Sequence, residues 1–377
     1  MTLLAELTTL RVGGPASDLI EPTTDAHLIA AVREADAAGT QVLVIGGGSN
    51  LLVGDAGFDG VVIRDARRSV ESDVSIQDDG LCGGVSVTVA AGVSWDDVVA
   101  RSVREGWVGL EALSGIPGST GATPVQNVGA YGSEVAETIA SVRTWDRLES
   151  RVRTLPAIDC GFAYRDSVFK RSQRGTAGKG TTAGKGTTAG NRRVWSPTPR
   201  FVVLDVTFQM RFGTRSAPVR YAQLADALGI EAGDTASTAA VRDAVLALRR
   251  SKGMVLDDFD PDTWSAGSFF TNPVLGASAA ADLPGDAPRF PPGPGVPEGA
   301  VKTSAAWLIE HAGFGKGFAV RDDALASLST KHALALTNRG GASAADLIEL
   351  ARAVRDGVRG AFGIELVPEP VLVGAAV

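Results

Sequence analysis

Residues 41–52 read QVLVIGGGSNLL, an apolar run that stops at three glycines followed by Ser49 and Asn50. The run 41–45 is rich in valine and is typical of a short β-strand. A glycine-rich turn after a strand presents backbone N–H groups that can bind phosphate oxygens. The same residues also suit an ordinary tight turn, and the local sequence leaves both interpretations open. The spacing G-x-G-x-x-G is absent, so a Rossmann fold is not indicated.

The segments around this turn alternate between helical and extended patterns. The spacing of apolar residues predicts helices over 25–39, 94–106, 237–252 and 343–363. Runs of β-branched residues predict strands over 60–65, 85–92, 200–212 and 364–374. The last strand contains two prolines and is expected at an edge or a bend. The order predicts an α+β protein in several pieces and not one doubly wound sheet.

Composition excludes several classes of protein. The chain has 377 residues, 44% of them hydrophobic, and a net charge of −7, which argues against general nucleic-acid binding. Cys82 and Cys160 are too few for a disulfide framework, and the three scattered histidines predict no metal site. The N-terminus lacks the basic start of a signal peptide, and no apolar run is long enough to cross a membrane. We expect a cytoplasmic protein.

A second glycine-rich region, LSGIPGSTGATPVQNVGAYG, covers residues 113–132. Glycine allows a ligand to approach the backbone closely, and the interspersed Ser, Thr, Gln and Asn supply directed hydrogen bonds. One such region is weak evidence for a site. Two in one chain indicate a long ligand that contains a pyrophosphate, such as a dinucleotide.

Three polar groups outside the glycine regions are candidates for chemistry. Arg165 in FAYRDSVFK either pairs with the adjacent acid or binds a substrate carboxylate. Ser268 in SAGSFFTNP either forms a turn or, held between aromatic residues, donates one proton. Glu369 lies between two prolines, either at a surface strand end or in a site.

Two further segments are expected to be irregular. Residues 171–200 contain seven Lys or Arg, no acid and the repeat TAGKGT, but lack the spacing of a P-loop. This tract is expected to be either a mobile solvated insertion or a basic surface that attracts anionic nucleotides. Residues 283–299 are rich in proline and are expected to be extended or irregular.

The ordered set IGGGSNLL, SGIPGSTGATPVQNVGAYG, YRDSVFK, GSFFTNP and LVPEP resembles the UDP-N-acetylenolpyruvoylglucosamine reductase family. The match covers about residues 8–373. It implies an FAD-binding region in two subdomains of the vanillyl-alcohol-oxidase type, at 1–66 and 67–214. It also implies a separate α+β substrate-binding domain at 215–362 and a C-terminal strand, 363–377, that returns to the active site.

The resemblance implies FAD as bound cofactor and NADPH as co-substrate. The first group of cofactor-binding residues is Gly46, Gly47, Gly48, Ser49, Asn50 and Leu51. The second group is Gly118, Ser119, Gly121, Ala122, Gln126, Asn127 and Gly129. In the family, hydride from the reduced flavin reaches the β-carbon of the enolpyruvyl group of UDP-N-acetylglucosamine enolpyruvate. A proton is then added at the α-carbon, and the product belongs to peptidoglycan precursor synthesis.

By the same resemblance, Ser268 matches the proton donor, and Arg165 and Glu369 match residues that stabilise the enol-like intermediate. The substrate-binding residues that it implies are Tyr164, Arg165, Tyr221, Lys252 and Asn272. No metal is implied, and a monomer is expected. The sequence departs from the family pattern at His311, where glutamine is common, and at Pro370, where valine is usual.

Two other functions remain open from the residues themselves. The first is another FAD-dependent oxidase or dehydrogenase that shares only the flavin regions. The second is a nucleotide-binding or regulatory module without redox chemistry. A purified chain without a flavin spectrum would argue strongly against both enzyme interpretations, and turnover with oxygen alone would favour the oxidase.

Overall fold

The computed structural model describes residues 1–75, 84–173, 195–292 and 296–377. Cys82 and most of the basic tract at 171–200 lie outside the described residues, so the predictions made for them are not tested.

The described helices and strands follow the predicted mixture. The helices are α1 (Asp25–Ala38), α2 (Trp95–Arg104), α3 (Val168–Gln173), α4 (Ala222–Leu228), α5 (Thr238–Ser251), α6 (Ala277–Ala281), α7 (Ala305–His311) and α8 (Ala344–Phe362). The strands are β1 (Ala16–Ile20), β2 (Val42–Ile45), β3 (Leu51–Val53), β4 (Phe58–Arg64), β5 (Val70–Ser75), β6 (Gly84–Ala90), β7 (Trp107–Val108), β8 (Gly129–Ala130), β9 (Ser133–Glu134), β10 (Ile139–Asp146), β11 (Arg151–Pro156), β12 (Phe201–Phe212), β13 (Val274–Leu275), β14 (Val301–Lys302), β15 (Ala326–Leu328), β16 (Leu336–Asn338) and β17 (Val371–Val373). The α+β fold class is confirmed.

Helix ends account for the accuracy of the helix predictions. Helix α1 ends at Gly39, which has φ 70° and caps the last turn in the left-handed conformation. Helix α8 begins with a capping box in which the Ser343 hydroxyl and the Asp346 carboxylate each accept a backbone N–H. Ser94, the first residue of the predicted helix 94–106, stands at the N-cap of α2, but its hydroxyl accepts no capping hydrogen bond.

The chain divides into two compact units. The C-terminal unit combines Met1–Ala16, Gly48–Phe58 and Arg249–Val377, and the central unit combines Ser17–Gly47 and Asp59–Leu248. Each unit has its own core, and the candidate residues are divided between them.

The central unit is built on two sheets. In the larger one the strand order is β11-β10-β12-β6-β5, with β7 also paired to β12. Val85, Val87 and Val89 alternate along β6 and are fully buried with Trp95 of α2. The smaller sheet has the order β1-β4-β2, and Leu28 and Val32 of α1 are buried in the same core as Val42 of β2. Alternate residues of the strands and one face of α1 are buried in these cores. This packing fixes β2 and therefore the position of the turn that follows it.

The C-terminal unit packs α7 and α8 around a second apolar core. Its strand β17 pairs parallel with β3, with Val371 opposite Leu51. The predicted strand over 364–374 is wrong in extent, because only Val371–Val373 is extended in a ladder. Pro368 and Pro370 cannot donate ladder hydrogen bonds, so the segment before Val371 forms an isolated antiparallel bridge, with Phe270 opposite Pro368, and not a continuous ladder.

Within the described ranges, no helix combines the length and apolar character needed to cross a membrane.

Candidate functional site

The two glycine-rich regions of the central unit meet at Gly46 and Gly47. A Cβ on Gly46 would lie 1.9 Å from Ser119 Oγ, and a Cβ on Gly47 would lie 2.8 Å from Gly118 Cα. Neither position therefore tolerates a side chain without moving the facing loop. The structure brings together two segments that are about seventy residues apart in the sequence.

The second of these segments is held against the turn after β6. Gly121 donates its N–H to the Ala91 carbonyl at 2.9 Å, and Thr120 donates to the Val93 carbonyl at 2.8 Å. A Cβ on Gly121 would lie 2.3 Å from the Ala91 Cβ. Ala122 follows and is exposed. Gly121 thus permits close packing beside fully buried Thr120, while Ala122 after it faces outward.

The N–H groups at this junction are available to a ligand. Among the residues that the structure describes, none accepts a hydrogen bond from the N–H of Gly46, Gly47, Gly118 or Ser119. A cluster of such donors is a favourable place for phosphate oxygens. These residues fit the pyrophosphate of a flavin dinucleotide.

Arg165 is fixed beside the end of the second glycine region. Its Nη1 and Nη2 donate to the carbonyls of Asn127 at 3.3 Å and Gly129 at 2.7 Å. Its guanidinium also lies 5.5 Å from the centroid of the Tyr164 ring. The acid next to it, Asp166, pairs with Arg171 at 2.5 Å, so the simple pairing of Arg165 with its neighbour is wrong.

The backbone at Arg165 and Asn127 is strained. Both are non-glycine residues with positive φ, 51° and 45° respectively. Such conformations cost about 1–3 kcal/mol each and persist where the surroundings hold them, often at functional sites. The side chain of Asn127 is used inside the protein, since its amide donates to Glu134 at 2.7 Å and to the Ala163 carbonyl at 3.2 Å. Asn127 therefore fixes the loop that carries Arg165.

Tyr221 precedes α4 and is 44% exposed. Its ring meets the edge of the Tyr131 ring at a centroid distance of 5.6 Å and an interplanar angle of 85°. Tyr131 itself has φ 51° and lies in the same region as Gln126 and Gly129. The exposed phenol of Tyr221 is thus held by an aromatic contact and presented to solvent.

In the C-terminal unit, the end of the glycine run is tied to the N-terminal segment. Gly48 has φ 59°, and a Cβ there would lie 1.8 Å from the Leu7 carbonyl oxygen. Its own carbonyl accepts the N–H of Thr9 at 3.2 Å. Ser49 and Asn50 follow in a turn, and Leu51 starts β3. The Asn50 carbonyl accepts the N–H of Val371 at 3.0 Å.

Ser268 and Glu369 lie on neighbouring chain segments. Glu369 donates its N–H to the carbonyl of Phe269, the residue after Ser268, at 2.8 Å. Phe269 and Phe270 are fully buried and pack edge to face at 5.1 Å, which anchors the segment below Ser268. The Asn50 amide reaches the Glu369 carbonyl at 3.4 Å. The structure therefore brings together Asn50, Ser268 and Glu369 from three distant parts of the sequence.

Asn272 and Lys252 are the other candidates in this unit. The side-chain carbonyl of Asn272 accepts the N–H of Ala305 at 2.9 Å, at the start of α7. Lys252 follows α5, and burial together with the charge of Arg249 lowers its pKa below the usual value. Half-buried His332 lies close enough to Lys252 for the lysine charge to affect its pKa. Burial lowers the pKa of His332 to about 4, and the charges of Lys252 and Lys316 lower it as well.

We expect His332→Gln to make the protein less sensitive to acid. The unfolded chain protonates this histidine near pH 6.5, whereas the folded protein does so only near pH 4. Falling pH between these values therefore stabilises the unfolded chain, by up to about 3 kcal/mol. Urea unfolding at pH 7 and pH 4.5 measures the difference. The variant should lose less free energy of unfolding than wild type between the two values. This account would be contradicted if the variant and wild type lost the same free energy of unfolding between the two pH values. It would also be contradicted if substitution of exposed His27 reduced that loss as much as His332→Gln does.

Sequence reasoning missed the polar residues that hold the N-terminal segment in place. Buried Asn338 donates its amide to the carbonyls of Leu10 and Arg11, both at 3.2 Å. Thr9 donates its hydroxyl to the Ser265 carbonyl at 2.7 Å. No local pattern marks these residues, because their partners are more than 250 residues away in the sequence.

Comparison with known proteins finds the same family along the whole chain. Residues 16–154 match the FAD binding domain family, and residues 260–373 match the C-terminal domain family of UDP-N-acetylenolpyruvoylglucosamine reductase. The reductase of that name from Cutibacterium acnes is 54% identical over 99% of this chain and 90% of its own length. The reductase from Saccharopolyspora erythraea is 52% identical over 99% of this chain and 95% of its own length. The crystal structure of the reductase from Thermus caldophilus, 23% identical, has a similar fold with a TM-score of 0.58 over 99% of this chain and 97% of that chain.

Proposed function

The chain belongs to the UDP-N-acetylenolpyruvoylglucosamine reductase family, and from this premise we propose that it reduces UDP-N-acetylglucosamine enolpyruvate to UDP-N-acetylmuramate. It is an FAD-dependent oxidoreductase that uses NADPH as reductant. The reaction is a step of peptidoglycan precursor synthesis.

FAD, when bound, would supply the hydride. The donors at Gly46, Gly47, Gly118 and Ser119 would hold its pyrophosphate, with Gly48 to Leu51 continuing the same loop. Gly121 and Ala122 would border the flavin, with Gln126, Asn127 and Gly129 nearby. Support comes from the N–H groups at the junction of the two glycine regions, which find no acceptor among the described residues, and from the close packing that excludes side chains there.

Ser268, Arg165 and Glu369 would carry the rest of the chemistry. Ser268 would donate the proton to the α-carbon of the enolpyruvyl group. A serine hydroxyl is a weak acid and becomes effective only when it is aimed at the developing carbanion. Arg165 would meet the negative charge that builds beside the substrate carboxylate, and it is already fixed by the carbonyls of Asn127 and Gly129. Such preorganised groups stabilise a transition state without reorganising.

The remaining polar candidates would bind substrate. Tyr164 and Tyr221 would present aromatic surface, Lys252 would meet a phosphate, and Asn272 would donate from its side-chain NH₂, since its carbonyl already accepts the N–H of Ala305. A lysine whose pKa burial lowers gains more from an anionic partner than an exposed lysine does.

One observation carries the assignment of the reductase in preference to a flavin oxidase. The N–H of Glu369 donates to the Phe269 carbonyl, and this bond places Glu369 beside Ser268. An oxidase that reduces oxygen has no need of a serine proton donor on this segment. Such an enzyme would share the flavin-binding loops alone.

The test is NADPH oxidation by the purified flavoprotein, with and without the enolpyruvyl sugar nucleotide, under anaerobic conditions. We expect oxidation to depend on the sugar nucleotide, with one UDP-N-acetylmuramate formed per NADPH consumed. Rapid oxidation by oxygen that the sugar nucleotide leaves unchanged would favour the oxidase.

The cellular setting and the domain limits are also proposals. A cytoplasmic location is supported by the substrates, because NADPH and UDP-sugars are made there. A monomer is proposed, as are the subdomain limits at residues 66, 214 and 362.

A further inference from the structure

Thr9 joins two loops of the C-terminal unit. The residue is buried, with 7% of its surface exposed. Its N–H donates to the Gly48 carbonyl at 3.2 Å, and its hydroxyl donates to the Ser265 carbonyl at 2.7 Å. One residue thus connects the glycine loop to the segment that leads into Ser268.

The segment from Ser265 to Ser268 is held at both ends. The Ser265 hydroxyl accepts the N–H of Gly267 at 3.1 Å. Gly267 has φ 71°, a left-handed turn that sets the direction in which Ser268 leaves the backbone. After Ser268, Phe269 donates its N–H to the Leu334 carbonyl at 2.8 Å. The bond from Thr9 is therefore one of the bonds that fix the chain on the N-terminal side of Ser268, next to the bond from the Asn338 N–H to the Trp264 carbonyl at 3.1 Å.

The hydroxyl of Ser268 is not held by the protein itself. Across the ranges that the structure describes, no partner hydrogen-bonds to its Oγ. Its direction is therefore set by the backbone of its loop, because no side-chain bond fixes it. A displacement of about 1 Å in a reacting group can lower a rate about 100-fold.

We propose that Thr9 is a positioning residue for proton donation by Ser268. The inference rests on the proposed function, since it assigns the step that Thr9 serves. The Thr9 hydroxyl already donates to Ser265, so its role is to orient the loop and not to contact substrate. Its backbone N–H donates to the Gly48 carbonyl, so the same residue also holds the glycine loop in place.

The test replaces Thr9 by valine, which keeps the branched shape and the backbone N–H but removes the hydroxyl. Thr9→Ser restores the donor. Thr8→Val is the matched control, because Thr8 is equally buried and donates its hydroxyl to the nearby Val12 carbonyl at 3.0 Å. For each variant one measures FAD affinity, urea unfolding, flavin reduction by NADPH and flavin reoxidation by the sugar nucleotide.

We expect Thr9→Val to slow reoxidation by the sugar nucleotide about 10- to 100-fold. FAD affinity and reduction by NADPH should stay within about twofold of wild type, and Thr9→Ser should recover most of the lost rate. Equal rates for Thr9→Val and Thr8→Val would overturn the positioning role, as would equal slowing of both half-reactions. Failure of the wild-type reduced flavin to react with the sugar nucleotide would instead overturn the proposed function.

Discussion

Ser268→Ala should leave flavin reduction by NADPH near the wild-type rate and slow flavin reoxidation by the sugar nucleotide about 10²- to 10⁴-fold. That range is typical for loss of a positioned general acid. The physical reason is local, since alanine removes the only proton that this side chain can give. The packing of Phe269 and Phe270 below it, which holds the segment, is unchanged. Rapid mixing with anaerobic reduced enzyme measures the second half-reaction directly.

The matched control for this variant is Ser278→Ala, an exposed serine on α6 in the same unit. It should behave as wild type in both half-reactions. If Ser268→Ala is reoxidised near the wild-type rate, Ser268 is not the proton donor. A variant that no longer binds FAD would point to a structural role for the serine.

Glu369→Gln should lower kcat about 10²- to 10³-fold with FAD still bound, a loss comparable to removal of one preorganised electrostatic group. The amide keeps the shape of the carboxylate, and the two backbone bonds of residue 369, to Phe269 and Asn50, do not depend on its side chain. The change therefore tests charge alone. Steady-state kcat and the flavin absorbance of the purified variant are the two measurements.

Glu365→Gln is the control for charge in the same segment, because Glu365 is exposed and four residues upstream. Its kcat should match wild type. If Glu369→Gln loses its flavin, residue 369 acts through folding of the β3 and β17 pair. If its kcat is unchanged, the carboxylate takes no part in the reaction.

Local signals explain the parts of the fold that were predicted correctly. Gly39 and the Ser343 and Asp346 capping box mark helix ends by short-range chemistry, and they lie at the ends of the predicted helices 25–39 and 343–363. The strand over 200–212 is confirmed as β12 because its β-branched run fills the middle of a sheet. Strand β5, Val70–Ser75, was missed because its VESDVS pattern is mostly polar and packs only Val70 against the core, while its pairing with β6 leaves no local signal.

The candidate site was predictable in its membership but not in its geometry. Ser268 and Glu369 were selected by resemblance, and no periodicity indicates that Glu369 donates to the Phe269 carbonyl. The pairing of Arg165 with its adjacent acid was a reasonable local guess. The guess is wrong because Asp166 forms its ion pair with Arg171. Arg165 has a positive φ, and its guanidinium donates instead to the carbonyls of Asn127 and Gly129. Thr9 gave no local signal, since its partner Ser265 is 256 residues away.

The most direct test of the central claim is a single anaerobic turnover of the wild-type enzyme. The flavin is reduced by NADPH, the oxidised nucleotide is removed, and UDP-N-acetylglucosamine enolpyruvate is added. Loss of the reduced flavin spectrum should coincide with formation of one UDP-N-acetylmuramate per flavin. A reduced flavin that persists with the sugar nucleotide and disappears only when oxygen is admitted would contradict the assignment.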